Sequence, residues 1–468
     1  MGRPEFLSIN PATGETFNSL AGHTLGEIDL ALSQAVAAQA GWGRQSVAER
    51  TPLLRRVAGA LRGQQAELAR LITNEMGKPL AEALGEIEKC AWTCDFYADA
   101  APAWLADQTV ASNAAHSAVV YDPLGLVLAV MPWNYPFWQF FRFAAPALAA
   151  GNGIVLKHAA NVSGCALAIA ALLRRADCPE GLVQVLLIEP DLVAPLIADP
   201  RIAAVTLTGS TEVGSIVASQ AGRALKKQVL ELGGSDPFIV LADADLDLAA
   251  EVAVKARFVN NGQSCVNAKR FIVEDAVADR FVAAFVRAAA ELTVGDPLSP
   301  HTQIGPMARA NLRDHLHDQV LRSLAQGAEL KLGGAPVPGP GFYYPPTVLD
   351  HVMPMMAAFT EETFGPVAAI TRAPDAETAI ALANDTEFGL GAALWTGDVE
   401  RGRVLARRIQ AGAVFINGMV ASDPRLPFGG IKRSGYGREL GEQGLREFVN
   451  VKTVWVGPAQ AAPRKDSA

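Results

Sequence analysis

The chain has 468 residues, of which 50% are hydrophobic and 19% charged, a composition that excludes disorder and a length that predicts two or three structural units. A formal net charge of -8 without a basic run excludes a nucleic-acid partner, and no apolar stretch reaches the roughly 18 residues of a membrane span. The opening residues lack the apolar core of a signal peptide, and the odd count of 5 cysteines does not suit a disulfide framework, so we expect a reduced, cytoplasmic protein.

The first part of the sequence is predicted to be mainly helical. Apolar residues recur at helical spacing over residues 25–39, through the segment 51–77, and over residues 81–100. Cys90 and Cys94 lie one helical turn apart in the last of these, but no second Cys or His pair follows, so we predict no metal site. Two short apolar strands come next, at 118–121 and 125–131, joined by a turn at 122–125.

From there on, strands and helices alternate, which predicts a parallel sheet flanked by helices, with ligands at the carboxyl ends of its strands. A final apolar strand, 447–455, has nothing nearby in the sequence to pair with, so we expect it to close a sheet edge, here or in a partner subunit. A polar tail, 459–468, follows it. The other predicted strands are 153–157, 183–188, 202–208, 228–232, 237–241 and 269–273, and the helices are 162–175, 192–197, 211–225, 246–259 and 276–292.

The segment Gly209-Ser-Thr-Glu-Val-Gly214 joins a predicted strand to a predicted helix. Ser210 can cap the helix, and the free N–H groups and the dipole at its start favour a phosphate. An ordinary capped helix would show the same pattern. A P-loop is disfavoured because no Lys follows Gly214.

Cys265 ends the polar segment Asn260-Asn-Gly-Gln-Ser-Cys265, between a predicted helix and a predicted strand. Most isolated cysteines are buried core residues. A polar loop, however, can give a thiol access, a lowered pKa and nearby backbone donors, as a nucleophile requires. We therefore predict a reactive thiol at this position.

Two other polar side chains come at strand ends. Glu231 closes an apolar strand, where partial burial should raise its pKa toward that of a general base. A Glu that only accepts hydrogen bonds from a loop would fit the same place. Asn134 ends the motif Met131-Pro-Trp-Asn134, where its amide can donate to a developing oxyanion.

These segments closely resemble the aldehyde dehydrogenase superfamily over nearly the whole chain. The resemblance implies an α/β fold with two Rossmann-like parallel-sheet domains and a small oligomerisation β-extension. It implies a cofactor-binding domain over 1–103 and 124–233, a catalytic domain over 234–440, and oligomerisation segments at 104–123 and 441–468 in a homodimer or homotetramer. The shared motifs are NPATGE, MPWN, GN-x-x-x-LK, TGSTEVG, ELGG, GQSC, EETFGPV and PFGG-x-K-x-SG-x-GRE.

The resemblance also implies roles for single residues. Cys265 is the nucleophile, Asn134 the oxyanion donor together with the Cys265 N–H, and Glu231 the base that activates water. A relative that transfers the acyl group to coenzyme A has no need of such a base, so Glu231 favours release of a free acid. The residues implied at the NAD(P) site are Trp133, Lys157, Gly209, Ser210, Val213, Gly214, Leu232, Glu362 and Phe364.

The sequence after Asn134 resembles one branch of the family, the bacterial succinate-semialdehyde dehydrogenases. In that branch an Arg at the place of Arg142 meets the substrate carboxylate, a task that suits the bidentate guanidinium. Ser422 matches a second contact, while Arg257 and Arg425 are both candidates for a second cation. An Arg extending from an aromatic-rich helix face would fit the pattern as well. Phe137, Trp138 and Phe141 are expected to form a narrow apolar wall.

Alternatives remain for the substrate, the cofactor and the activity. Glutarate semialdehyde and general aliphatic or amino-aldehydes are the other candidate substrates. Many family members carry Lys-Pro-Ser-Glu, whose Glu disfavours a 2′-phosphate, whereas this chain has Lys157-His-Ala-Ala160. Ala160 neither repels NADP nor offers it a hydroxyl, so we expect use of both cofactors with a slight preference for NAD. A non-catalytic binding protein on the same scaffold would have lost the chemical residues, which are all present.

Overall fold

The computed structural model describes residues 3–457, so the polar tail and the last residues of the segment 441–468 lie outside the described residues. The N-terminal part is a two-stranded antiparallel sheet followed by four helices. The predicted segment 51–77 forms two helices because the backbone leaves the helical region at Gln64 (φ -116°, ψ 13°). These elements are β1 (Glu5–Ile9), β2 (Thr16–Ala21), α1 (Leu25–Trp42), α2 (Val47–Gly63), α3 (Gln65–Met76) and α4 (Leu80–Trp104).

The middle of the chain alternates between strands and helices close to the predicted positions. One strand is shorter than predicted, because Leu186, Leu187 and Ile188 are buried like strand residues but continue as irregular chain. The elements are β3 (Gln108–Thr109), β4 (His116–Pro123), β5 (Leu126–Met131), α5 (Trp138–Ala149), β6 (Gly153–His158), α6 (Ser163–Arg175), β7 (Val183–Val185), α7 (Val193–Ala198), β8 (Ile202–Thr208), α8 (Thr211–Arg223) and β9 (Lys227–Glu231).

A second alternating series completes the described chain. Its elements are β10 (Asp236–Val240), α9 (Leu246–Phe258), β11 (Ala268–Glu274), α10 (Asp275–Ala290), α11 (Ala310–Ala325), β12 (Glu329–Leu332), β13 (Thr347–Asp350), α12 (Ala357–Thr360), β14 (Val367–Ala373), α13 (Ala376–Asn384), β15 (Gly391–Trp395), α14 (Val399–Ala406), β16 (Ala413–Ile416), β17 (Gly435–Tyr436), α15 (Gly441–Arg446) and β18 (Val449–Val456).

Two large, mainly parallel sheets organise the molecule, which confirms the predicted α/β fold. The first has the strand order β17-β9-β8-β5-β6-β7, and only β17 is antiparallel to its neighbour. The second has the order β12-β13-β14-β11-β10-β15-β16, and only β12 is antiparallel. The crossovers between parallel strands cover the sheets, as parallel sheets require.

A third, three-stranded sheet confirms that the C-terminal strand closes a sheet edge. β18 does have a partner in its own chain, since it pairs antiparallel with β4 from Val449 opposite Pro123 to Val456 opposite His116. The two strands are far apart in sequence, so local pattern could not reveal the pair. The sheet order β18-β4-β3 leaves the outer edge of β18 without a neighbour among residues 3–457. None of the described helices is long and apolar enough to cross a membrane.

Candidate active site

Cys265 lies in a loop between α9 and β11 that asparagine side chains hold in place. Asn260 and Asn261 both adopt the left-handed conformation (φ 58° and 55°), which Asn tolerates better than most residues. Asn260 Nδ2 donates to the carbonyls of Asn134 and Gln263, both at 2.9 Å. Asn267 Oδ1 accepts from the Ser264 N–H at 2.8 Å. The loop is therefore fixed on both sides of the thiol.

The same loop depends on a glycine and on a buried arginine. Gly262 has φ +70°, and a Cβ there would come within 2.4 Å of the Gly365 backbone. Arg257 is fully buried and donates to the carbonyls of Ala268 at 3.2 Å and Thr363 at 3.0 Å. Burial lowers the pKa of Arg257 to about 9. Its donors serve the backbone, so Arg257 is not a substrate cation.

Beside Cys265 opens a cavity of about 260 Å³, called here the Cys265 cavity. Arg142 and Ser422 line it, as predicted, and so does Trp138. The prediction that Phe137 and Phe141 also form its wall is wrong, because these two side chains stack on each other within the core, with ring centroids 6.5 Å apart. Tyr135 and Phe428 supply the aromatic wall instead. The other lining residues are Glu82, Gly85, Glu86, Lys89, Gln139, Ala256, Val259, Ser264, Val266, Asn267, Met419, Val420 and Ala421.

The second cation left open by the sequence is not Arg425 either. Arg425 is exposed and its Nε donates to Asp423 Oδ1 at 2.8 Å. Its guanidinium lies 5.7 Å from the ring centroid of Trp92, outside the Cys265 cavity. The lining residue that carries a positive charge besides Arg142 is Lys89, which the sequence did not single out.

The positive charges near the thiol do not offset the effect of burial on its pKa. Burial raises the pKa of Cys265 to about 11, although Arg142 and Lys269 act in the opposite direction. The expectation of a lowered pKa is therefore wrong for this structure. Lys269, which the sequence analysis missed, donates to the Cys265 carbonyl at 2.8 Å. At neutral pH the thiol is protonated, so the reaction needs a group that removes its proton.

Glu231 ends β9 and is only 2% exposed. Neither of its carboxylate oxygens has a hydrogen-bond partner among residues 3–457. Burial raises the pKa of Glu231 well above its ordinary value, and the nearby Glu439 raises it further, against Arg142 and Arg438. The direction agrees with the sequence expectation. Glu231 is not among the residues that line the Cys265 cavity.

Arg142, on the cavity wall, is held in place by Glu439, a residue that the sequence analysis passed over within the GRE motif. The two form a buried ion pair, and the Arg142 guanidinium lies 4.7 Å from the ring centroid of Phe428. Arg142 Nη2 also donates to Thr208 Oγ1 at 3.4 Å. The charge of Arg142 is thus already balanced within the protein.

Asn134 follows β5 and is 4% exposed. Its Nδ2 donates to the Gln263 carbonyl, at 3.0 Å, which ties the amide to the Cys265 loop. A side-chain amide has two donor hydrogens, so one remains for a substrate oxygen. Asn134 and the Cys265 loop are therefore brought together, as an oxyanion site requires.

The start of α8 has the features of a nucleotide cradle. Ser210 caps the helix, accepting from the Val213 N–H at 3.3 Å. A Cβ on Gly214 would come within 2.3 Å of the Leu232 side chain, so Gly allows the helix to pack directly on the sheet. Val213 and Ile216 are 46% and 54% exposed, an apolar surface that an adenine ring would cover. These residues fit a dinucleotide, with its phosphates at the helix start.

The residues assigned to the nicotinamide end lie beside the Cys265 loop. Glu362 accepts from the Gly234 N–H at 3.1 Å and is 3.3 Å from Lys269 Nζ. Phe364 and Trp133 meet edge to face, with ring centroids 5.7 Å apart. Lys157 is the penultimate residue of β6, at the carboxyl end of that strand. The sheet ends thus bring the two sets of predicted residues to one side of the protein.

Comparisons with known proteins agree with this geometry. The sequence model of the Aldehyde dehydrogenase family matches residues 2–454. The chain is 52% identical over 450 residues to succinate semialdehyde dehydrogenase (NAD(P)+) Sad of Escherichia coli (strain K12), covering 96% of this chain and 97% of that protein. It is 52% identical over 449 residues to a probable succinate-semialdehyde dehydrogenase (NADP(+)) of Synechocystis sp., covering 96% and 99%. The crystal structure of succinic semialdehyde dehydrogenase from Streptococcus pyogenes with NADP+ superposes with a TM-score of 0.95 at 36% identity, covering 97% and 100%.

Proposed function

The chain belongs to the aldehyde dehydrogenase family, and on that premise we propose that it oxidises succinate semialdehyde to succinate with NAD(P)+ through a thioester on Cys265. The observation that supports this choice of substrate is the Cys265 cavity, a small, partly aromatic space lined by the thiol together with Arg142 and Ser422. The names of the relatives at 52% identity support the same substrate.

In the proposed mechanism, the Cys265 thiol gives up its proton to solvent water, and the sulfur bonds to the aldehyde carbon. The carbonyl oxygen becomes anionic and accepts from the free Asn134 N–H and from the Cys265 backbone N–H. Loss of one such donor typically costs about 100- to 1000-fold in rate. Bound NAD(P)+ supplies the hydride acceptor. Glu231 takes a proton from the water that attacks the thioester, and the acid leaves as the Cys265 thiolate is released.

The substrate proposal predicts strong discrimination between a charged and a neutral aldehyde. The kcat/KM for succinate semialdehyde should exceed that for its neutral methyl ester by about 10- to 100-fold, because a charged hydrogen bond contributes about 1.5–3 kcal/mol. Steady-state rates followed by NAD(P)H absorbance measure both. Equal values for the two would refute the proposal. Faster oxidation of glutarate semialdehyde would assign the longer substrate instead.

For the cofactor, we propose use of both dinucleotides with a preference for NADP+. The slight preference for NAD expected from the sequence is not supported by the relatives described above, of which one is named for NADP(+) and one was solved with NADP+. Ala160 is exposed and brings no carboxylate near Lys157. His158 is buried, with its pKa lowered to about 4 chiefly by that burial, so it adds no charge. Lys157 is then the cation available to a 2′-phosphate.

Replacing Ala160 tests this assignment. Ala160→Glu places a carboxylate against the 2′-phosphate, so kcat/KM for NADP+ should fall about 10- to 100-fold while that for NAD+ holds or rises. Ala160→Gln is the matched control of similar size without charge. An equal effect of Glu and Gln, or an unchanged cofactor ratio in both, would contradict the role given to this position.

We also infer a homodimer or homotetramer that pairs along the outer edge of β18. Seven of the eight β18 residues are exposed. Val451, Val454 and Trp455 are among the large apolar side chains that solvent reaches. A long, apolar, open strand edge is rare on a monomer because it favours aggregation, so a second subunit covering it supports the assembly.

A further inference from the structure

Lys89 enters the Cys265 cavity from α4. Its Nζ donates to Ser422 Oγ at 2.8 Å and lies 4.4 Å from the ring centroid of Trp138. All three residues line the same cavity as Cys265. An ammonium group thus stands at the wall where the sequence had placed a carboxylate contact at Ser422.

The charges around the cavity leave Lys89 as the cation without a carboxylate. Arg142 is paired with Glu439, and Lys78 with Glu86. Among residues 3–457, Lys89 has no carboxylate oxygen within the 4.0 Å of an ion pair. Lys89 is half-buried, and a partly desolvated charge without a counter-ion is costly, so an anionic ligand reduces that cost.

The hydrogen bond from Lys89 leaves the Ser422 hydroxyl hydrogen available as a second donor. The Ser422 oxygen accepts from Lys89, so its own O–H is free to point elsewhere. An ammonium group has three donor hydrogens, and one of the three is used by Ser422. Lys89 and Ser422 together can therefore offer donors to both oxygens of a carboxylate.

We propose that Lys89 is the principal cation for the substrate carboxylate, with the Ser422 hydroxyl beside it, and that Arg142 shapes the cavity while its charge is balanced by Glu439. This inference rests on the proposed function and names the residue that sets its specificity. Lys89 is thus a cation at the substrate site that the sequence analysis did not consider, whereas its two candidates for a second cation were Arg257 and Arg425.

The lowered pKa of Lys89 is consistent with a binding site for an anion. Burial and the like charge of Arg142 lower the pKa of Lys89 to about 8, while Cys90, Asp423 and Glu86 act to raise it. Among the other lining groups, Glu82 has its pKa raised to about 7, mainly by burial. An arriving carboxylate restores the protonated state of Lys89, so binding and protonation favour each other.

The decisive measurement is the ratio of kcat/KM for succinate semialdehyde to that for its methyl ester. In Lys89→Met, which keeps an unbranched side chain one atom shorter, this ratio should fall about 10- to 100-fold, mostly through KM for the charged substrate. The kcat/KM for the ester should stay within about threefold, since a neutral end needs no cation. Lys89→Arg, the matched control, should recover most of the ratio. A wild-type ratio near one refutes the proposed function, whereas a high ratio that survives in Lys89→Met refutes only the role of Lys89.

A second measurement is made on the wild-type enzyme, with Lys89→Arg as its control. Because Lys89 is charged below its pKa, the wild-type ratio should be high at pH 7 and fall as the pH rises through about 8. Thiol ionisation affects both substrates alike and cancels in the ratio. Lys89→Arg should remove this fall, while any change centred near pH 7 would come from Glu82. A flat ratio between about pH 7 and 9.5 in the wild type overturns the proposal.

Discussion

Cys265→Ala is expected to abolish both the initial burst of NAD(P)H and steady turnover, with kcat falling by about 10⁴- to 10⁶-fold. No acyl-enzyme can form without the sulfur, and the neighbouring Ser264 is 2% exposed and bonded through its N–H to Asn267. Stopped-flow absorbance at the nicotinamide band, with enzyme in near-stoichiometric amount, separates the burst from turnover.

Cys178 provides the matched control. It is the other cysteine among residues 3–457 that is partly exposed, and it follows the end of α6, outside the residues that line the Cys265 cavity. Cys178→Ala should keep full activity and should still be inactivated by iodoacetamide. Retained turnover in Cys265→Ala, or protection from iodoacetamide in Cys178→Ala, would show that Cys265 is not the nucleophile.

The protonation state of the Cys265 thiol predicts how its alkylation by iodoacetamide depends on pH. With its pKa raised to about 11, Cys265 is protonated over the neutral range, and its thiolate fraction rises about tenfold per pH unit. Alkylation of the cofactor-free enzyme should therefore quicken steadily from pH 7 to 9. Sequence context suggested easy ionisation of a thiol in a polar loop. The structure buries most of that loop, and burial disfavours the charged form.

Features that depend on local order in the chain could be predicted from the sequence. Alternating strands and helices determine a parallel sheet, and residues at strand ends, such as Glu231, then lie at its ligand-binding edge. The role of Ser210 as a helix cap also follows from its immediate neighbours. Each of these inferences depends only on residues that are close together in the sequence, and such residues stay close together in the folded protein.

Features that depend on distant partners could not be predicted. Arg142 lies where the sequence predicted, but its charge is already paired with Glu439. Glu439 is far along the chain, so the sequence around Arg142 could not reveal this pair. Removing Arg142 would leave Glu439 buried and unpaired, a cost of about 3–5 kcal/mol, so Arg142→Ala would test folding more than specificity. Lys89 showed no signal at all, since a Lys on an amphipathic helix is ordinarily a surface residue.

Glu231→Gln is expected to keep a burst of about one NAD(P)H per site and then stop, with kcat lowered about 10²- to 10⁴-fold. The thioester forms without water, but its hydrolysis needs a base, and an amide cannot accept the proton. Hydroxylamine attacks a thioester without help from a base, so adding it should restore turnover and yield a hydroxamate.

The same substitution should leave the protein at least as stable as the wild type. The Glu231 carboxylate is buried, has no hydrogen-bond partner among residues 3–457 and is opposed by Glu439, so its charge disfavours the folded state. A melting temperature that holds or rises, together with lost turnover, would separate catalysis from folding. A missing burst would place Glu231 at the deprotonation of Cys265 instead, and normal turnover would remove it from the mechanism. Because Glu231 does not line the Cys265 cavity, its carboxylate does not occupy the space of the aldehyde.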